Sequence, residues 1–330
     1  MKLKHLFFIG VSSLILIACN STSNDTTLPN TFTLKESALY PETVTYSSSK
    51  ETTYIGSYYK GKIVSMDLLG NMRDFIVDDS LVAVVGMTIN EEKNYLIVCN
   101  SDSNLSLRSS SATLGRLAQI MIYDLNTAKK VASIDLSKLY AGGHFLNDVT
   151  LDSAGNIYVT DSFSPVIYKI DTNLKASILV QNELFNGGQG RFGLNGIEYH
   201  SDKFLIVGMS NGNLFKVNLD EQTTVSKIEL STKLKSLDGI LLLDNNTLLV
   251  VSNNLPALSK VTFDEAITKL TTTNNWLTLE NSKVITNLKG KFPTTLTHIK
   301  NDLYVNFGEF SKLIERNTTF NNFKLQKVEL

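Results

Sequence analysis

Leu146-Asn147-Asp148-Val149-Thr150-Leu151-Asp152, the turn Ser153-Ala154-Gly155-Asn156, then Ile157-Tyr158-Val159-Thr160-Asp161 and Val166-Ile167-Tyr168-Lys169-Ile170-Asp171 form one unit of a pattern that recurs along the chain. Short runs of Val, Ile, Tyr and Thr separated by Asn, Asp, Gly and Ser clusters read as strands and turns. Equivalent units open at Glu42-Thr43-Val44, Val85-Gly86-Met87, Asn195-Gly196-Ile197, Asp238-Gly239-Ile240 and Thr294-Thr295-Leu296. A second apolar strand follows each opening, as in Leu96-Ile97-Val98, Leu205-Ile206-Val207 and Leu303-Tyr304-Val305. The openers Glu42, Val85, Asn147, Asn195, Asp238 and Thr294 lie 43, 62, 48, 43 and 56 residues apart. Repeats of about 40–50 residues with four strands each are propeller spacing. A β-helix needs a shorter repeat, and a sandwich has no reason to repeat. Fourth strands are expected at residues 73–77, 130–135, 176–180 and 225–230. The chain from residue 32 to 330 thus reads as one all-β domain, a six-bladed β-propeller with four-stranded blades around a central channel. Ring closure has two solutions. The last blade either takes all four strands from its own residues or receives residues 32–34 as a closing strand.

A repeat puts equivalent positions in equivalent places, so Glu42, Asn147, Asn195 and Asp238 should meet at one end of the channel. Three long connections, 101–117, 182–193 and about 274–292, are expected to overhang that end, and long loops on a rigid scaffold commonly carry binding. Two carboxylates and two side-chain amides offer only oxygen. That set suits a hard cation, calcium or another divalent ion, and not zinc, which takes His or Cys. Two negative charges on one axis also repel without a cation between them. A plainer reading has each residue capping an inner strand and bonding channel water. It suffices for any one position, whereas four in register favour the cation.

The N-terminus differs in kind. Lys2 and Lys4 precede an apolar run from residue 6 to 18 that is too short to span a bilayer comfortably. Residues 1–18 read as a signal peptide. Leu16-Ile17-Ala18-Cys19 resembles the bacterial lipobox, which implies lipidation of Cys19; the alternative is a plain secretory signal that contains a cysteine. Residues 19–31 would then hold the lipidated cysteine and a polar, Ser/Thr/Asn-rich linker. Asn20 after the cysteine resembles Gram-negative lipoproteins sorted to the outer membrane. The expected location is the bacterial cell envelope, lipid-anchored and facing the periplasm. The only other cysteine, Cys99, lies in an apolar strand and reads as a buried, inert thiol. The 330 residues are 42% hydrophobic and 19% charged with net charge −1. That is ample for a core and gives no basic surface for nucleic acid.

The segments Pro41-Glu42, Leu146-Asn147-Asp148-Val149-Thr150-Leu151-Asp152, Leu194-Asn195-Gly196-Ile197 and Leu237-Asp238-Gly239-Ile240 resemble the metal-site strands of the senescence-marker-protein/gluconolactonase (regucalcin-like) family. More distant paraoxonase and strictosidine-synthase-like propellers share the arrangement. The resemblance implies that Glu42, Asn195 and Asp238 bind calcium or another divalent ion, with Asn147 beside both the metal and the substrate. It further implies a calcium-dependent hydrolase of lactones or esters, with Asp238 as ligand and general base. The alternative is a non-catalytic ligand- or partner-binding propeller with a structural calcium. One departure stands out. Sugar-lactonase members carry an arginine two residues before the first Asn, where this chain has Phe145. A polyol would lose that donor, so an apolar or differently held substrate is favoured, with Asn147, Phe145 and Arg191 as substrate-binding candidates. Arg108 and Arg116 lie on loops expected to reach the same end.

Paraoxonase-like sites use a histidine base, which makes His144 a catalytic candidate; otherwise it is a loop residue bonding the backbone. His298, in the inner strand of the sixth unit, reads as a satisfied core histidine, with the channel as the other option, and His200 is placed at the opposite end. Asn100, Asp161 and Asn253 close second strands, where they would brace the ligands from outside or shape turns. The space beside Val85, Phe145 and Thr294 is left for whatever binds.

Overall fold

The computed structural model describes residues 27–188, 191–254 and 263–330. Cys19, the leader before it and the linker up to residue 26 lie outside the described residues. After β1 (Thr31–Leu34) comes an antiparallel sheet of β2 (Pro41–Ser47), β3 (Thr52–Ser57), β4 (Lys62–Met66) and β5 (Met72–Val77). The pattern repeats in β6 (Ala83–Asn90), β7 (Tyr95–Ser101), β8 (Ala118–Asp124) and β9 (Lys130–Asp135), and again in β10 (Leu146–Leu151), β11 (Ile157–Asp161), β12 (Val166–Ile170) and β13 (Ala176–Gln181). An eight-stranded sheet follows. One half is β14 (Leu194–His200), β15 (Phe204–Met209), β16 (Leu214–Asn218) and β17 (Thr224–Leu230). The other is β18 (Leu237–Asp244), β19 (Thr247–Ser252), β20 (Ala266–Thr271) and β21 (Thr278–Ile285). The halves join at the outer rim through a short parallel contact that pairs Glu229 with Thr278 and Leu230 with Leu279. The last sheet holds β22 (Pro293–Ile299), β23 (Asp302–Phe307) and β24 (Phe323–Lys327), with β1 on its outer edge.

The first strand of each sheet packs beside the next. β2 meets β6, then β10, β14, β18 and β22 in turn, and β22 meets β2. This circle of sheets around a channel is a β-propeller. Burial explains the sequence pattern. The second strands have both faces covered by neighbouring sheets, so β15 (Phe-Leu-Ile-Val-Gly-Met) and β19 (Thr-Leu-Leu-Val-Val-Ser) are buried at every position. Outer strands such as β9 face solvent, and none of its residues is fully buried. The core is accordingly divided into apolar clusters that lie between adjacent sheets, as where Phe204, Ile206 and Leu214 meet Leu237, Leu248 and Trp276.

The expected fourth strands coincide with β5, β9, β13 and β17 to within a residue. The expected connection at 274–292 is corrected: residues 278–285 are β21, and the connection to β22 is only residues 286–292. Thr278–Ile285 is a largely exposed outer strand, so its sequence, Thr-Leu-Glu-Asn-Ser-Lys-Val-Ile, shows no apolar face. Ring closure takes the second solution. β1 runs antiparallel to β24, from Thr31 opposite Gln326 to Leu34 opposite Phe323. Phe32 and Leu34 are buried there, and the Phe32 ring lies 5.4 Å from that of Tyr304.

Candidate metal centre

Each inner strand breaks register where its opener stands: between Pro41 and Thr43, Val84 and Met87, Leu146 and Val149, Leu194 and Ile197, Leu237 and Ile240, and Pro293 and Leu296. A β-bulge puts one extra residue on the strand, leaves it out of the ladder and re-aims its side chain. Here that edge of the strand faces the channel. The glycines after the openers follow from crowding. A Cβ on Gly239 would stand 2.3 Å from the Thr294 carbonyl oxygen, and one on Gly86 2.5 Å from that of Asn147.

The four polar openers occupy this level. Asn147, Asn195 and Asp238 are buried, and Glu42 is half-buried. The amide nitrogens are committed to the protein. Asn147 Nδ2 donates to Ser162 Oγ at 3.0 Å, and Asn195 Nδ2 lies 3.3 Å from both Ser210 Oγ and the Leu237 carbonyl. Both amides therefore turn their carbonyl oxygens away from these partners. The Asn253 amide donates to Asp238 Oδ2 and, at 3.1 Å, to the Pro293 carbonyl, which binds the carboxylate to the next blade. Glu42 Oε2 is buried and meets no hydrogen-bond donor among the described residues.

The electrostatics match. Burial pushes the Glu42 carboxyl well above its ordinary range, and the charges of Asp238 and Asp148 push it further. Asp238 is raised to about 7, first by burial and then by Asp148, against the amides of Asn195 and Asn253 that pull it down. Such a site resists holding two negative charges and would accept a cation. Among the described residues no three His, Cys, Asp or Glu side chains gather as a metal-binding group. A cation here would thus rely on amide oxygens as well as on the two carboxylates, a donor set that fits a hard ion.

Other candidates fall elsewhere. His144 is buried, with Nδ1 2.8 Å from Asp161 Oδ2 and the carbonyls of Ser137 and Tyr140 against its ring. The Asp161 bond engages Nδ1, an arrangement that serves a loop brace and a histidine base alike. Asp161 does not reach Asn147; its Oδ1 accepts from Phe145 N at 2.9 Å and Phe163 N at 3.0 Å. Asn100 serves the turn before β6 through Val82 N and the Ser80 carbonyl. Arg108 is fixed to the carbonyls of Lys60, Gly61 and Leu81 and lies 3.2 Å from Asp79, so it is not free for substrate. Arg116 and Arg191 are exposed. His298 is not in the channel; it is exposed and lines a groove with Tyr46 and Asn301. His200 is buried, stacked on Phe204 at 4.2 Å, with its Nε2 2.9 Å from the Asn245 carbonyl. Cys99 is fully buried and burial pushes its thiol up, as an inert cysteine requires.

Three features escaped the sequence reading. Asp148 occupies the bulge position that is glycine after Val85, Asn195 and Asp238. Its carboxylate accepts from Val149 N at 2.9 Å and, in the next blade, from Ile197 N at 3.2 Å, and burial raises it to about 6. The departure from glycine was its visible signal. Tyr58 is buried, bonds Ser103 through its hydroxyl and lies in the field of Glu42. Third, Val85, Phe145 and Thr294 are themselves buried. Phe145 packs against Tyr58, Phe163 and Phe192 at 6.4, 5.4 and 5.4 Å between ring centres.

No protein-family profile and no curated protein sequence matches the chain. Solved structures share its fold at low identity. The major Malassezia sympodialis allergen Mala s 1 aligns over 92% of this chain and 97% of its own, with TM-score 0.72 and 16% identity. A gluconolactonase from Xanthomonas campestris aligns over 90% and 89%, with TM-score 0.59 and 12% identity. Virginiamycin B lyase from Staphylococcus aureus aligns over 91% and 98%, with TM-score 0.57 and 14% identity. At these identities the likeness establishes the propeller fold.

Proposed function

We propose that the chain is a six-bladed propeller lipoprotein of the cell envelope that holds one calcium, or another divalent cation, at the end of its channel and hydrolyses lactones or esters there. The blade count follows from treating the parallel β17–β21 contact as a rim junction between two blades. The observation that carries the functional reading is the pairing of Glu42 and Asp238, two carboxylates raised by desolvation and by neighbouring charge, one with a buried oxygen that lacks a donor. The resemblance of these strands to gluconolactonase metal sites agrees with it, and so does the fold shared with a gluconolactonase.

Glu42, Asn195 and Asp238 would hold the ion, with Asn147 beside it. A divalent cation in such a position polarises an ester carbonyl and stabilises negative charge that develops on its oxygen. Asp238, held by Asn253 and kept ionised by a bound cation, would take the proton from an attacking water. A second reading, a binding propeller with a structural cation, draws on Phe145 in place of an arginine and on Arg108 being tied to backbone.

Hydrolysis is read with a pH indicator over lactones and aryl esters. Wild-type turnover should fall about 100-fold or more in Asp238→Ala, the scale on which general bases act. Silence across both classes, with metal bound, would leave only the binding propeller. Envelope anchoring is tested by fatty-acid labelling in cells. Label is expected on the wild type and absent from Cys19→Ser; equal labelling of both would remove the lipoprotein reading.

A further inference from the structure

Phe145, Phe163 and Phe192 come from three connections, before β10, after β11 and before β14. Their rings meet in a triangle, with centres 5.4, 5.4 and 5.2 Å apart. Exposure rises outward from 3% at Phe145, through half-buried Phe163, to 37% at Phe192. The triangle is therefore a wall with a dry inner end and an open outer end. Its inner end adjoins the ion-binding level, because Phe145 lies two residues before Asn147 and packs on Tyr58, which lies in the field of Glu42.

The wall is held rigidly. Asp161 Oδ1 accepts from both Phe145 N and Phe163 N. Ser162 N donates to the Phe145 carbonyl at 2.8 Å, and Gly193 N to the Ser162 carbonyl at 2.7 Å. The backbones that carry all three rings are thus joined before any ligand arrives, which limits the ordering a ligand must cause. Arg191, directly before Phe192, is exposed, and Arg108 is occupied by backbone carbonyls. The three rings themselves offer no hydrogen-bond donor, whereas a flat apolar ring finds edges and faces at stacking distance.

We propose that the open end of this wall, Phe163 and Phe192, receives the aromatic ring of an aryl lactone or aryl ester whose carbonyl points toward Asn147 and Asp238. The choice of substrate class rests on the hydrolase reading; binding of the ring does not.

The test separates the two with matched probes. α-Tetralone carries a benzo-fused ring and a carbonyl but no ester, and cyclohexanone lacks the aromatic ring. Calorimetry with calcium present should show α-tetralone bound more tightly than cyclohexanone. Phe192→Ala and Phe163→Ala should each reduce that preference by roughly threefold to tenfold, the size of an aromatic contact. Phe192→Leu, which keeps apolar bulk on an exposed position, should lose most of the same preference with an unchanged melting temperature. In parallel, the kcat/KM ratio of dihydrocoumarin over δ-valerolactone should fall by a similar factor in each variant. Ring-dependent binding without hydrolysis of any lactone supports the wall and removes the hydrolase reading. Lactone hydrolysis whose aryl preference is untouched in all three variants overturns the wall and leaves the hydrolase. No preference of the wild type for α-tetralone also overturns it.

Discussion

Calcium added to the chelated protein raises its melting temperature by about 5 °C at pH 8 and by little at pH 5. The size comes from linkage: a ligand at 100 times its dissociation constant stabilises the folded state by about 2.7 kcal/mol, and roughly 2 °C accompanies each kcal/mol in a chain of this length. The pH dependence comes from the carboxyls. Glu42 and Asp238 both have folded-state values raised above the unfolded ones, by burial first. A group raised in this way contributes its stability below the unfolded value, about 4 for a carboxyl, and loses it as pH rises through the folded value, about 7 for Asp238. Between pH 5 and pH 8 this pair therefore stabilises the metal-free protein most at pH 5, where it is largely protonated and holds a cation weakly. At pH 8 the pair is ionised at a cost that a divalent ion relieves. Asp238→Ala should abolish the calcium shift and flatten the pH dependence of the metal-free protein. Differential scanning fluorimetry across pH 5–8 with and without chelator reads all of this. A wild-type shift that is absent at pH 8, or equal at pH 5 and pH 8, would contradict the site.

What the sequence displayed well was the part that repeats. A bulge needs a residue free of the ladder and, where blades crowd, a glycine after it, so Asn195-Gly196 and Asp238-Gly239 can be read without coordinates. Asp148 breaks the same rule and could have been read in the same way. Strand β21 was hidden because an outer strand with mostly exposed residues carries no apolar alternation. The partners of His144 were hidden for a different reason. Its distance of three residues from Asn147 fixes proximity along the chain but not which side of the connection its ring takes, and that side is decided by Asp161 and by the 137–140 turn. The ring cluster around Phe145 was not visible in the sequence. A pocket depends on what several loops bring, and Tyr58, Phe163 and Phe192 lie in three other connections.

Asp161→Ala is expected to destabilise the protein by about 3–5 kcal/mol, the usual result of removing one member of a buried ion pair. Asp161 is fully buried and serves four partners at once: His144 Nδ1, the Tyr168 hydroxyl at 3.3 Å, Phe145 N and Phe163 N. Its loss leaves a buried imidazole and two backbone donors without their acceptor. Burial alone would lower the His144 value; the bond to Asp161, its charge and the carbonyls of Ser137 and Tyr140 together outweigh it and raise the group. The sign follows. A histidine raised in the folded state contributes its stability below the unfolded value of about 6.5 and loses it as pH rises through the folded value. The gap between wild type and Asp161→Ala in urea unfolding should therefore be widest near pH 6 and narrow toward pH 9. His144→Gln should lose the same pH-dependent part while keeping a donor for Asp161. If lactone turnover is present, a His144 that only braces its loop should leave the shape of the pH–rate profile unchanged in His144→Gln. A profile that loses an ionisation in this variant would place His144 in the chemistry. Wild-type stability in Asp161→Ala would show that the loops carrying Phe145 and Phe163 are held by something other than this carboxylate.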